Sequence, residues 1–254
     1  MRKFYLYVDG TRYSLNGENG LWFLNPSGMG ASMQSTYATI TDGFFSSTDM
    51  KSKQGSIAGD FAWTESGYSG YKTMVDAIFT ADNLRIGYNP DGVEYFADCQ
   101  INYITKGESY GAKILKAPVS FILLTPWYIE EQLTGAGTVS VSAGGQIASA
   151  VKVVSTGTSL VNPYISMSAN GEEFARCEIS MNLSTSNSLE YSNFYDDSHI
   201  IGVINGVRTN LIENLTARHN IYSHKFGAYT VNLSDSNGAS PAISVTVRRY
   251  WRTV

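Results

Sequence analysis

Residues 119–137 read VSFILLTPWYIEEQLTGAG. The opening VSFILL is a dense apolar run of the kind a central strand carries. It meets Thr125 and Pro126, and a proline cannot donate to a β-ladder and biases the residue before it toward an extended exit. The strand therefore stops at Pro126, and Trp127 and Tyr128 are placed to plug the edge of the body it closes. Beyond them LTGAGTVSVSAGG (133–145) changes abruptly to small residues. This change predicts a domain boundary near residue 130, with one domain over 1–130 and a second over 131–254.

Working outward, the totals agree with two β-rich bodies. A chain of 254 residues is long enough for two ordinary domains, each with a full core. Charged residues make up 16%, against about 25% in a typical globular chain, while 17 tyrosines and many Gly, Ser, Thr and Asn suit strands and turns. A surface so poor in charge is compatible with burial against other subunits. The net charge of −4 supplies no basic field for nucleic acid or anionic lipid. Cys99 and Cys177 lie far apart and read as lone buried thiols. The N-terminal MRKFYLYVDG is broken by Asp9 too early for a signal-peptide core. No segment approaches the roughly 20 apolar residues of a membrane span. The expectation is a soluble chain made in a cytoplasm, without membrane insertion. Three glycosylation-type triplets, at Asn182, Asn214 and Asn232, are what chance supplies in so Asn/Ser/Thr-rich a chain.

In the first half, KFYLYVDGTRYSL (3–15) alternates and turns at Asp9-Gly10, a hairpin signal. SMQSTYATIT (32–41) is a second extended stretch. The polar segment TDGFFSSTDMKSKQGS (41–56) carries Phe44, Phe45 and Met50. Two readings stay open for it: an Ω-loop folded on its own rings, or an arm whose rings anchor on a neighbouring subunit. In SIAGDFAW (56–63), Ile57, Gly59, Phe61 and Trp63 share one face of a strand. One helix is expected from Tyr68 to Ala81. Tyr71, Met74, Val75, Ile78 and Phe79 lie at core spacing, Lys72, Thr73 and Asp76 lie opposite, and Ser66 or Ser69 caps the start. LRIGYNPDGVEYFADCQINYI (84–104) is a hairpin around residues 89–92, with Val93, Tyr95, Ala97, Cys99, Ile101 and Tyr103 on one face. The second half reads as short strands, separated by Asn-Gly turns at Asn170, Asn205 and Asn237, which is a β-sandwich pattern. NLIENLTARHN (210–220) offers one helical turn capped by Asn210, with Glu213 reaching back.

Candidate chemistry is sparse. His199, His219 and His224 are not spaced as metal ligands, and neither cysteine lies near them in sequence. There is no nucleophile elbow, and PSGMGAS (26–32) lacks the lysine of a phosphate cradle. The acid pairs Glu130-Glu131, Glu172-Glu173 and Asp196-Asp197 are neighbours, and strand neighbours point to opposite faces. A calcium ion on Asp196 and Asp197 would need six or more oxygens, so a solvated loop is expected there. In VRRYWRTV (247–254), Ile243, Val245 and Val247 set the inward face, shared by Arg249 and Trp251. Arg248, Tyr250 and Arg252 fall on the outer face, where the arginines snorkel or meet a neighbouring subunit. No catalytic residue, cofactor or metal is assigned, and no enzymatic activity is expected.

With both halves read, the order of features resembles the distal tail protein family of long-tailed phages (siphoviruses) that infect Gram-positive hosts. The resemblance runs over essentially the whole chain and rests on pattern more than motif. It is carried by the opening hairpin, DGFF (42–45), SIAGDFAW before a helix YSGYKTMVDAIF (68–79), and the hairpin that follows. FILLTPWY (121–128) is the most specific of these stretches. STGTSLVNPYISMSANG (155–171) is similar to the entry of the family's second domain. Where family members often carry Arg at the start of the pre-helix strand, this chain has Lys51, Lys53 and Gln54.

The resemblance implies a mainly β protein. Its N-terminal β-sandwich carries one α-helix and a belt-like arm, and a C-terminal galectin-like β-sandwich follows. It further implies a virion structural protein, the baseplate hub at the tail tip, assembled as a homohexamer ring. The ring's partners would be the major tail protein of the tail tube and a tail-associated lysin or fibre-type protein. Outward C-domains could carry receptor-binding proteins, and DNA would pass through the channel without sequence recognition. The arm residues Phe44, Phe45 and Met50 would be its oligomer-interface candidates, and Pro126, Trp127 and Tyr128 its domain-junction plug. The rival reading is a carbohydrate-binding, lectin-like module or adhesion protein acting in host recognition. Against it, aromatics on the second half's strands are few.

Overall fold

The computed structural model describes residues 2–30, 33–41, 44–52, 54–107, 109–110, 114–220 and 224–252; of these, side chains are described outside 33–41, 44–52, 109–110 and 217–219. The chain forms two compact units, Met1–Trp127 with Arg252–Val254, and Tyr128–Trp251. The first contains β1 (Lys3–Val8), β2 (Thr11–Ser14), β3 (Leu21–Ser27), β4 (Met33–Thr41), β5 (Phe44–Ser52), β6 (Ser56–Trp63), α1 (Gly67–Thr80), β7 (Leu84–Asn89), β8 (Tyr95–Ile104), β9 (Ser109–Tyr110) and β10 (Ile114–Leu123). β11 (Trp127–Ala136) follows directly after the break at Pro126.

Seven of these strands form an antiparallel sheet in the order β2-β1-β7-β8-β10-β6-β3. Its edges return toward each other, because the Leu15 N–H donates to the Phe4 carbonyl and the Phe23 N–H to the Leu15 carbonyl. The two halves of the sheet thereby enclose one core. Phe4 meets Phe23 edge-on at 5.3 Å between ring centroids, and Phe23 meets Phe61 at 5.6 Å. Gly59 shares the face of Ile57 and Phe61 for a steric reason: a Cβ there would stand 2.5 Å from the Phe23 ring. The hairpin at Asp9-Gly10 forms as read, with φ of +47° and +80°, the left-handed pair that a two-residue hairpin turn requires.

Three readings in this unit are corrected. The helix buries Met74 and Ile78 but leaves Phe79 63% exposed and Tyr68 56% exposed. A helix lying on one sheet is covered from one side only, so the inward stripe is narrower than its apolar spacing implies. At its start Ser66 makes no side-chain capping bond; instead the Ser69 hydroxyl donates to the Ser66 carbonyl at 2.8 Å. The inward face of β8 also runs out early, with Ala97 and Cys99 buried but Tyr103 45% exposed. The segment of Phe44, Phe45 and Met50 is β5, paired along its length with β4 as a two-stranded sheet of its own. Thr39 stands opposite Phe45 and Ser35 opposite Met50. The side chains of Phe44, Phe45 and Met50 lie outside the described residues.

The second unit adds β12 (Thr138–Val141), β13 (Ile147–Thr156), β14 (Leu160–Val161), β15 (Tyr164–Ala169), β16 (Glu172–Ile179), β17 (Asn182–Leu183), β18 (Ser188–Asn193), β19 (Ser198–Ile204), β20 (Val207–Asn210), β21 (Leu215–His219), β22 (Tyr229–Ser234) and β23 (Ala242–Trp251). One sheet runs β11-β23-β13-β18-β19-β20 and the other β12-β22-β15-β16-β21. Their inner faces share a single core that includes Val153, Met167, Cys177, Tyr191, Leu233 and Val245. Period-two burial makes the sandwich: in YTVNLS, Tyr229, Val231 and Leu233 are inside and the residues between them are half-buried. The turns at Asn170-Gly171 and Asn205-Gly206 carry positive φ at both residues. Residues 212–214 form a short 3-10 turn, and the Asn210 side chain accepts from the Ile212 N–H at 3.0 Å.

Candidate functional site

Several polar groups singled out from the sequence meet around the strand pair β11–β23 of the second unit. β11 and β23 place Glu130 and Glu131 on opposite faces, and adjacent arginines meet them: Arg248 Nε donates to Glu130 at 3.1 Å, and Arg249 pairs with Glu131 at 2.6 Å. Arg248 also donates through Nη1 to both carboxylate oxygens of Asp196 at 3.1 Å. Its guanidinium lies between the rings of Tyr128 and Phe194, 4.5 and 4.2 Å from their centroids. The outer-face parity read for Arg248 and Tyr250 holds, but their exposure does not. Residues 194–197 fold across that face, and both side chains are buried. Asp196 and Asp197 do lie in the exposed loop expected there, and each has a protein partner besides, Asp196 the Arg248 guanidinium and Asp197 the His199 ring.

Asp197 accepts from His199 Nδ1 at 2.8 Å, and His199 Nε2 meets Glu190 at 2.6 Å. Glu190 is further held by Lys152 at 2.9 Å and Arg208 at 3.3 Å. Burial alone would raise its carboxyl, but hydrogen bonds from Lys152 and His199 outweigh it and hold Glu190 below the ordinary carboxylate range. Glu190 with Lys152 and Arg208 forms an ion-pair network across β13, β18 and β20, and His199 hydrogen-bonds to it from β19. No hydroxyl or thiol side chain is hydrogen-bonded to it among the described residues. His224 stacks on Tyr195 at 3.9 Å with its Nε2 on the Asn193 carbonyl at 2.7 Å, and burial lowers its pKa. The His219 side chain lies outside the described residues.

Burial pushes the Cys99 thiol up to about 12 and the Cys177 thiol up to about 11. Neither is a nucleophile at neutral pH. Among the described residues no three acids, histidines or cysteines cluster as metal ligands, and no helix is long and apolar enough to cross a membrane.

Trp127 is the last residue of the first unit's long segment and Tyr128 the first of the second unit. Each packs within its own unit, Trp127 with its ring 6.0 Å from Tyr88 and Tyr128 with its ring 5.6 Å from Tyr250. Just before them, the Thr125 hydroxyl accepts from the Asp98 N–H at 2.9 Å. One feature escaped sequence reasoning: a groove of about 340 Å³ on the outer face of the second sheet, walled by Tyr164, Arg176 and Glu178. Its only sequence signal is the polar phase of YISMSA and FARCEI.

These observations define the class as a mainly β protein of two antiparallel units. Within that class the sequence is specific. Residues 3–124 match the family model of the distal tail protein N-terminal domain, and that half of the chain belongs to the distal tail protein family. Solved structures extend the likeness of fold to the full length. A chain of the phage P2 baseplate in its activated conformation with calcium is 15% identical, with all of both chains covered and a TM-score of 0.73. The strontium form of the phage p2 baseplate gives the same values. The SPP1 Dit protein, described as a hub of the adsorption apparatus in phages infecting Gram-positive hosts, is 10% identical over 96% of this chain and 98% of its own, with a TM-score of 0.63. No curated protein matches the sequence.

Proposed function

We propose that this protein is the structural hub of a phage tail tip, six copies of which close into a ring. The ring joins the tail tube to a tail-associated lysin or fibre-type protein and lets DNA pass through its centre. The first unit forms the ring, the second points outward where receptor-binding proteins can attach, and the role requires no catalysis. Pro126, Trp127 and Tyr128 act as the plug at the junction of the two domains. The family match over residues 3–124 carries this reading, and the full-length likeness of fold to a baseplate chain supports it.

Physical features of the chain agree. A cyclic ring is built from heterologous contacts, so every subunit must present two different, complementary patches. One candidate is the helix stripe that leaves Tyr68 and Phe79 exposed. The other is the separate β4–β5 hairpin, with Phe44, Phe45 and Met50 on its second strand. Mass photometry of the purified chain tests the proposal: a six-chain particle is expected, and the double variant Phe44→Ser/Phe45→Ser should shift it to smaller species. A wild-type chain that stays monomeric at micromolar concentration sinks the ring; unchanged hexamers in the double variant remove the arm from it. A second reading, contact with saccharide, is favoured by the groove at Tyr164 and is developed next.

A further inference from the structure

On the sheet β12-β22-β15-β16-β21, Ile165, Met167, Ala175 and Cys177 point into the core. Strand alternation therefore sends Tyr164, Ser166, Arg176 and Glu178 to the outer face. Tyr164 stands opposite Glu178 and Ser166 opposite Arg176. At one end of this face lies the groove of about 340 Å³, whose rim adds Asn162, Ser180 and Thr216. That volume is at the lower end of small-molecule sites, which start at about 300 Å³.

Arg176 makes three contacts in the wall. Its Nε donates to Glu178 Oε1 at 2.8 Å and its Nη1 to Glu173 Oε2 at 3.2 Å, and its guanidinium lies 4.2 Å over the Tyr164 ring. Two groups remain without a protein partner among the described residues, the Arg176 Nη2 donor and the Glu178 Oε2 acceptor. A donor beside an acceptor matches two neighbouring hydroxyls of a sugar ring. One hydroxyl accepts from Arg176 while the next donates to Glu178, and both hydrogen bonds are charge-assisted. Amide and hydroxyl side chains at Asn162, Ser180 and Thr216 can exchange hydrogen bonds with further hydroxyls. Two carboxylates against one guanidinium disfavour an anionic ligand.

We propose that this groove binds a neutral saccharide of one or two rings, with Arg176 and Glu178 reading a pair of adjacent hydroxyls. The site belongs wholly to the second unit, so it stands or falls separately from ring assembly.

Saturation-transfer NMR on the full chain tests it with maltose, lactose and N,N′-diacetylchitobiose, and with sialyllactose as the anionic control. At least one neutral disaccharide should show transfer. Glu178→Gln should weaken it roughly tenfold, the worth of a charge-assisted hydrogen bond. Ser180→Trp, which fills the groove from an exposed rim position, should abolish it without lowering the melting temperature. Three outcomes overturn the proposal: no transfer from any neutral sugar at about 10 mM, the millimolar regime of weak sites; transfer unchanged in both variants; or a stronger signal from sialyllactose. Mass photometry on the same sample separates the two ideas. A monomer that binds sugar sinks the hub alone, and a ring that binds none sinks the groove alone.

Discussion

Arg248 is a cation that strand parity sends outward and the tertiary structure covers, with only 9% of its side chain exposed between two rings and two carboxylates. Removing one partner of such a cluster leaves like charges facing each other and a void between Tyr128 and Phe194. Arg248→Ala should cost about 3 kcal/mol, the lower end for a broken buried pair, because Glu130 and Asp196 are each about one-third exposed. Urea denaturation measures it, and a cost within about 0.5 kcal/mol, the range of ordinary surface changes, would refute the account. Asp235 differs in kind, as it accepts backbone N–H bonds from Val161, Asn237 and Ala239 at 2.8–2.9 Å. Those bonds, Val161 first, lower its pKa. A depressed carboxyl stabilises the fold above its unfolded value near 3.9, and that stability is lost as pH falls through the folded value. Asp235→Asn should therefore lower the denaturation midpoint at pH 7, with the gap to wild type closing below about pH 4. A gap that stays constant down to pH 3 would contradict this.

At the scale of elements, α1 separates what periodicity predicts from what a sheet can cover. Met74 and Ile78 are one turn apart and buried, while Phe79, next in sequence, faces away. Ile78→Ala should cost about 2–4 kcal/mol through lost contacts and a cavity. Phe79→Ala should change stability by less than about 0.5 kcal/mol. Equal costs from thermal unfolding would mean the helix is rotated from the orientation described. β23 makes a related point. Ile243, Val245 and Val247 are inside as their alternation requires, yet the opposite face is no surface, because residues 194–197 cross it. Period two gives a residue's side of the sheet and says nothing of what lies over that side.

At the scale of the whole molecule, the second unit's core draws every buried member from Val139 to Val247. A body that owns its core needs no neighbour to bury it. A fragment of residues 128–254 should unfold in one sigmoidal urea transition and keep the β-type circular dichroism of the full chain. A fragment that melts gradually, or only aggregates, would show that the core depends on the rest of the protein. The mainly β class, the single helix and the hairpin turns were all legible in the sequence. Alternation, Asn-Gly and Asp-Gly pairs, and the ladder-breaking Pro126 are local signals, and local signals survive reading without a fold. The groove at Arg176 was not legible: the Asn170-Gly171 turn sets Tyr164 beside Glu178, but Thr216 and Ser236 join them from far along the chain, and all of these residues are ordinary outer-face types.

The sequence by itself determined where strands run, where they turn and which side chains have one buried face, because each depends on backbone geometry within a few residues. It also determined family membership of the first half, which rides on the order of those features. Only the tertiary structure decided that Arg248 is enclosed, that Phe79 is bare, and that Thr216 and Ser236 close a groove against Tyr164, Arg176 and Glu178. Those facts depend on which segment folds over which face, and contacts between residues far apart in the chain leave no periodic trace in it.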